Sequence, residues 1–424
     1  MNKLLIKRSW LVISLAIAFL IMGMATAEAK IDGIPGPTFN LTAKPDYIST
    51  ADGGSYLIWG FADGTGRAQY PGPVLIVNQG DTVNVNLTNQ LSVATSIVFP
   101  GQLGVTSTGG SPGVLTAEAL VGGSVSYTFT ASQPGTYTYY SGTNPDLQIE
   151  MGLVGVLIVR PYGYVQGDMM TYKAYNHMDS QYDREFLFFL SEMDPYIHLA
   201  VQFGQVQDTT TFWPVYWFIN GRTAPDTMSA PNVAWLPTQP YNSMPTTRPG
   251  EKILLRIVGG GRDSHPFHTH GNHARVIAKD GRLLSSAAGS GADLSKMEFT
   301  VTSAPGQTVD AIFMWTGAKM GWDIYGHAPT DPLAPGEDPN DHGKPFPVQL
   351  PELQTLTFGP WYSGSPFLGA GGTLPPGEGG LNPNAGFFFM WHSHNENEIV
   401  NFDIFPGGML TMAVVEAPWV DIME

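Results

Sequence analysis

Along much of this chain apolar side chains recur at every second position. Val83, Val85 and Leu87 alternate with Asn84, Asn86 and Thr88, and Val125, Tyr127 and Phe129 alternate in the same way. A period of two sends successive side chains to opposite faces of a strand, so each run predicts a strand with one buried and one wet face. Further strands are predicted at Tyr56–Trp59, after the turn Tyr70-Pro71-Gly72-Pro73, and at Gly135–Tyr140 and Gly152–Val159. Residues 31–70 otherwise read as turn-rich, and no convincing amphipathic helical period runs through the chain. Residues 38–162 therefore read as one β-domain, and residues 163–183 as a polar linker. A second β-domain, residues 163–420 with the linker, opens at Glu185–Leu190 and includes Ile253–Val258, Val309–Trp315, Phe387–Trp391 and Leu410–Val415. Within it, residues 328–385 are rich in Pro and Gly and have little periodicity, which predicts a long ordered loop or insertion. The 50 Gly and 34 Pro of the 424 residues, placed between short alternating runs, argue for an all-β sandwich class.

Two predicted strands of the second domain carry unusual chemistry. One is followed by His265-Pro266-Phe267-His268-Thr269-His270-Gly271, and the other ends in Trp391-His392-Ser393-His394. Each contains a His-x-His step, which in a strand offers two imidazoles on one face. If the strands are neighbours, four ring nitrogens converge on a metal site of copper or zinc character. Five of the chain's 10 histidines lie in these two stretches. The bland reading is that they are packed, hydrogen-bonded residues of an interface.

The remaining composition mostly excludes. There is no cysteine, which rules out disulfides, thiolate metal sites, iron–sulfur clusters and thiol catalysis. The net charge is −16, so nucleic acid and anionic lipid surfaces are poor partners. Lys3, Lys7 and Arg8, the apolar run Trp10–Met24 and the small-x-small step Ala25-Thr26-Ala27 read as a secretory signal over residues 1–27. The run is shorter than the ~20 residues a membrane span needs. Export to the periplasm, the exterior or the cell surface is the expectation, with no transmembrane span once the signal is removed. Without the signal's three positive charges the net charge becomes −19.

With these motifs in view, the chain resembles the multicopper oxidase family, built from cupredoxin domains. Tyr70-Pro71-Gly72-Pro73 with Gly80-Asp81-Thr82 resembles the family's first-domain opening, and Gly135-Thr136-Tyr137 through Gly152-Leu153-Val154-Gly155 its close. Ile219-Asn220-Gly221 and Arg248-Pro249-Gly250-Glu251 resemble second-domain landmarks, and the two histidine motifs are the most specific matches. The resemblance implies tandem cupredoxin-like Greek-key β-barrels or sandwiches. It places His268 at the type 2 copper and His270, His392 and His394 at the type 3 pair. It also implies a small-molecule or metal-ion substrate, and a homotrimer of two-domain chains.

The departures from the family pattern are as informative. Where the family carries two further His-x-His pairs in its first domain, this chain has Val98 and Pro100, then Tyr140 and Gly142. Where it places the type 1 cysteine, this chain has Ser393, a hard neutral ligand that cannot replace a soft thiolate. The second type 1 histidine aligns with Glu398, leaving His265 and Met409 of that set. A blue-copper centre should not form. The expected ligands are His265, His268, His270, His392, His394 and Glu398 around about one Cu(II) per chain, with zinc as second choice. No residue is assigned a catalytic role.

Three readings of His265 stay open: a ligand, a donor behind a ligand, or a cap after the preceding strand. Glu396 and Glu398 either complete or orient the coordination sphere, or belong to a solvated strand end. His327 and His342, with Asp331, Glu337, Asp338 and Asp341, read as solvated loop charge before they read as a cation site. Two functions follow: an oxidoreductase working at a reduced, non-blue copper site, or a non-enzymatic copper-storage or cell-surface structural protein.

Overall fold

The computed structural model describes residues 31–319, 321, 323–344, 365–367, 386–416 and 422. Residues 1–27, expected to be a signal, and much of the 328–385 insertion lie outside them.

Nine strands form a first β-unit: β1 (Ile34–Pro35), β2 (Thr38–Ser49), β3 (Ser55–Asp63), β4 (Leu75–Asn78), β5 (Thr82–Asn89), β6 (Thr106–Gly109), β7 (Ser124–Thr130), β8 (Gly135–Tyr140) and β9 (Val154–Arg160). They make two sheets, ordered β1-β4-β9-β8 and β3-β2-β5-β7-β6. Val83, Val85, Leu87, Val125, Tyr127 and Phe129 point between the sheets and are buried, as the period of two predicts.

The second unit contains β10 (Arg184–Met193), β11 (Tyr216–Ile219), β12 (Thr246–Thr247), β13 (Lys252–Gly259), β14 (His265–Thr269), β15 (Ala274–Lys279), β16 (Arg282–Leu283), β17 (Lys296–Glu298), β18 (Thr300–Ser303), β19 (Thr308–Met314), β20 (Ser365–Phe367), β21 (Gly386–Ser393) and β22 (Leu410–Val415). One sheet runs β11-β10-β13-β19-β15-β16, with β17 on β15. The other runs β12-β22-β21-β14-β18, with β20 on β21. The protein is all-β, a tandem of cupredoxin-like sandwiches. Among the described residues no helix is long and apolar enough to cross a membrane.

Several elements differ from the sequence reading. Residues 38–49 form a twelve-residue strand rather than turns; Pro45 and Asp46 interrupt its pattern, yet it pairs on both edges, with β3 and β5. Two short helices also escape a periodicity search: α1 (Pro145–Glu150) and α2 (Pro195–Gln202), the latter capped by Asp194, whose carboxylate accepts from Tyr196 N. The polar stretch 163–183 buries Tyr172, Tyr175 and Tyr182.

The two units are joined by buried charge. Arg160, at the end of β9, donates to Glu185 of β10 at 2.7 Å, and Arg256 of β13 donates to the same carboxylate at 2.9 Å. Arg256 also donates to Thr136 of the first unit at 2.8 Å, and Thr136 donates to Asp310 of β19 at 2.6 Å. Burial alone would raise the Glu185 carboxyl, but the two guanidiniums hold it down at about 2. Removing one partner of such a group strands uncompensated charge, so Glu185→Ala should cost about 3–5 kcal/mol in denaturant unfolding. A loss within ~0.5 kcal/mol, the level of an ordinary surface change, would contradict this role.

Candidate metal centre

Strand β14 lies between β18 and β21, antiparallel to both. In the β14–β21 ladder Phe267 faces Ser393, His268 faces His392 and Thr269 faces Trp391. His265, Phe267 and Thr269 are buried while Pro266 and His268 are partly exposed, so the alternation splits the motif between two faces. The inward side is fixed by aromatic packing. Trp391 is fully buried, with Phe313, Phe188 and Phe267 at 4.9, 5.9 and 6.5 Å between centroids. Its indole N–H donates to the His270 carbonyl at 3.0 Å and ties the core to the outward side.

On the outward face His268, His270 and His392 each bring a ring nitrogen within 4.8 Å of the others. His270 Nε2 and His392 Nε2 are 3.2 Å apart. His268 Nδ1 sits 3.0 Å from Thr300 Oγ1, which leaves Nε2 as its ligand atom. His392 Nδ1 lies 2.6 Å from the Ser393 carbonyl, and a carbonyl only accepts, so Nδ1 carries the proton and Nε2 the lone pair. Burial, reinforced by the His392 and His394 rings, pulls His268 down to about 4, and burial likewise holds His392 below the ordinary imidazole range. Both rings are thus neutral near pH 7, the form that binds a metal. His394 stands at the rim: its ring centroid is 4.8 Å from that of His268, but its side chain is 48% exposed and Nδ1 lies 3.4 Å from Glu396. A pocket of about 160 Å³ opens beside the cluster, lined by residues 268–273 and Phe299.

His265 and Glu398, expected among the ligands, are not brought to this cluster. His265 is fully buried on the inward face, with Nδ1 2.9 Å from Glu398 and Nε2 2.8 Å from Glu192. Both ring nitrogens point at carboxylates, so neither offers a lone pair. Burial disfavours the charged ring, yet the hydrogen bonds to Glu192 and Glu398 outweigh it and push His265 up to about 9. Glu192 was missed in the sequence; it sits on β10 and also accepts from Asp263 N at 3.0 Å. The Gly260-Gly261 turn makes room for it: a Cβ on Gly261 would lie 2.0 Å from the Glu192 carboxylate, and one on Gly260 1.9 Å from the Phe189 ring. Glu398, in a 3₁₀ turn after β21, accepts from Asn395 at 2.9 Å. Ser393 and Met409, also fully buried, share this inward face.

The first unit shows what replaces the missing histidine pairs. Val98 and Tyr140 bridge each other through their backbones, with Val98 N 2.8 Å from the Tyr140 carbonyl. A Cβ on Gly142 would lie 2.8 Å from Val98 Cγ1. Beside them Thr95 and Ser141 donate to Gln148 Oε1 at 2.8 and 2.6 Å, and Gln148 donates to the Ala94 carbonyl. This neutral, satisfied network offers no metal ligand.

Two cupredoxin-like sandwiches, the second with a histidine cluster that could hold a metal ion, are similar to known proteins. A multicopper oxidase family model matches residues 64–163. The iron transport multicopper oxidase FET3 of Saccharomyces cerevisiae is 30% identical over 273 residues, 63% of this chain and 37% of that protein. The iron transport multicopper oxidase fetC of Epichloe festucae is 28% identical over 225 residues, 52% of this chain and 32% of that protein. Copper resistance protein A of Pseudomonas syringae pv. tomato is 24% identical over 248 residues, 51% and 38%. The matches thus span between 32% and 38% of these relatives' length. Among solved structures, the multicopper oxidase mgLAC superposes with a TM-score of 0.57 at 20% identity, covering 91% of this chain and 87% of that one. The blue copper oxidase of Nitrosomonas europaea gives 0.56 at 20%, covering 89% and 85%. The chain is thus similar to multicopper oxidases, by a family-model match over residues 64–163, and it departs from the family pattern in having no cysteine and no histidine at positions 98, 100, 140 and 142.

The inward face generates a pH dependence. The His265 pKa is raised in the folded state, so its contribution is full below the unfolded value of ~6.5 and is lost as pH rises through about 9. Melting temperatures between pH 7 and 10 should show this loss in the wild type and not in His265→Asn. Ring-proton NMR of the metal-free protein should find His265 charged up to about pH 9 and His268 charged only below about 4.

Proposed function

We propose that this protein is an exported, multicopper-oxidase-like protein that binds one non-blue copper ion on the outward face of β14 and β21. His268, His270 and His392 are its ligands, with His394 at the rim as the fourth. The observation that carries this reading is the 3.2 Å separation of His270 Nε2 and His392 Nε2. Two nitrogens ~2.0–2.1 Å from one ion at near-tetrahedral angles lie ~3.3 Å apart. Three imidazoles suit Cu(II) first and Zn(II) second. Bound there, copper supplies one-electron redox chemistry. The chain's own part is to hold the rings: Thr300 orients His268, the Ser393 carbonyl fixes the His392 tautomer, and the pocket beside Phe299 admits a small molecule.

The function supported best is oxidoreduction of a small molecule or metal ion at this site. The relatives named for iron transport and copper resistance make metal ions the first substrates to test. A second reading, non-enzymatic copper storage or a cell-surface structural role, is favoured by the loss of the other copper positions. The inward face is filled by a charged histidine and two carboxylates, and the first unit's positions are closed by Val98, Tyr140 and Gln148. The homotrimer belongs to the same proposal: the cluster lies at the surface, where a neighbouring subunit can cover it, and light scattering of the purified protein tests it.

Protein given one equivalent of Cu(II) should retain about one copper per chain after dialysis, without an intense blue band, because no Cu–thiolate bond is available. The His270→Ala/His392→Ala double variant should lose it. Thr300→Val, which frees the His268 ring, should weaken copper binding by ~10–100-fold in competition with a chelator. Turnover of Fe(II), Cu(I) or a phenol by the wild type and not by the double variant supports the oxidoreductase; copper retained without turnover supports storage.

A further inference from the structure

A second group of convergent side chains lies in the turns that follow β19. Asp323, His327, Glu337 and His342 each bring a ligand atom within 4.8 Å of the others. His327 Nδ1 is 3.1 Å from Glu337 Oε2 and 3.5 Å from Asp323 Oδ2. His342 Nδ1 is 2.8 Å from Glu337 Oε1 and 3.9 Å from Asp323 Oδ2. These separations bracket the ~3.3 Å edge of a tetrahedron of N and O ligands around one zinc-sized ion.

A simple His342–Glu337 ion pair explains one of those contacts but leaves Asp323 and His327 aimed at the same point. His327 Nδ1 is sealed from solvent and makes no hydrogen bond of acceptable geometry. The carboxylates are held in place by backbone. Asp323 accepts from Tyr325 N at 2.8 Å, Gly343 N at 2.9 Å and His327 N at 3.2 Å, and Glu337 accepts from Ala334 N at 2.7 Å. The Tyr325 ring stacks on His327 at 5.5 Å and 10°. Asp323 and Glu337 are nearly fully buried, with side chains 1% and 3% exposed. The two carboxylates bring a charge of −2 to this point, which a divalent cation would cancel. Ile324, next to Asp323, is buried in the second unit's core, so the group is anchored on the sandwich.

We propose that Asp323, His327, Glu337 and His342 form a second metal site, for a zinc-type divalent ion, which clasps residues 323–344 onto the second β-unit. The site shares no ligand with the outward histidines and stands whether or not they bind copper.

The test uses the full chain carrying His268→Ala, His270→Ala and His392→Ala, so that zinc at the first cluster cannot contribute. After chelation and equilibrium dialysis against Zn²⁺, elemental analysis should find about one zinc per chain at stoichiometric concentration. Limited proteolysis within 323–344 should slow when zinc is present. Adding Glu337→Gln and His342→Gln, which preserve shape, should weaken zinc binding by ~100-fold or more and abolish the protection. The proposal is overturned if the triple variant binds no zinc. It is equally overturned if the quintuple variant, shown to be folded by its melting temperature, binds zinc as tightly as the triple.

Discussion

The register that sets His268 opposite His392 in the β14–β21 ladder is the constraint on which the rest of the site depends. Side chains alternate along each strand, so a single ladder fixes both faces at once. Outward it gathers His268, His270 and His392; inward it stacks Phe267 and Trp391 into the core and delivers His265 between two carboxylates. A slip of one residue would exchange the faces, burying neutral imidazoles and exposing aromatic surface. Burial of Trp391, Phe267, Phe313 and Phe188, at roughly 1.5–3 kcal/mol each, holds the register, and the Trp391–His270 hydrogen bond passes that rigidity to the cluster.

On the inward face charged side chains stand where the family resemblance would place a type 1 copper. A type 1 copper needs a thiolate, and Ser393 supplies none. In its place Glu192 and Glu398 charge the His265 ring and accept from both nitrogens. The buried group thereby becomes a fixed cation with hydrogen-bond partners on both sides. Ions so placed are costly to bury unless paired, and the glycines at 260 and 261 provide the space that pairing needs. In the first unit the replacement is neutral: Gln148, Thr95 and Ser141 satisfy one another, and a backbone bridge closes the gap between Val98 and Tyr140. The outward cluster is left as the copper-type ligand set.

Much of this was legible in the sequence, because a period of two reads out a sandwich directly and the His-x-His steps read out a shared face. The separation of His265 from the cluster was not read there: His265 was expected among the ligands, although it precedes His268 by three residues and an odd spacing in a strand means opposite faces. Of its acidic partners Glu398 was picked out, as a ligand or an orienting carboxylate, and Glu192 was not. Glu192 is 73 residues away on β10 and is brought near by the sheet order, and Glu398 sits in a turn that has no strand periodicity. Strand β2 was hidden by Pro45 and Asp46, and the two helices, of six and eight residues, are too short for a 3.6-residue period to register. The Asp323–His342 group read as loop charge because its members converge through backbone hydrogen bonds to turns, which no spacing rule encodes.

The most direct test is a crystal of the copper-loaded protein, with diffraction data collected on either side of the copper absorption edge. The account predicts one copper peak on the outward face, bonded to His268, His270 and His392 with His394 as the fourth ligand, and no metal beside His265, Ser393 and Met409 on the inward face. A peak on the inward face, or copper-loaded protein with no peak at the outward histidines, would contradict it.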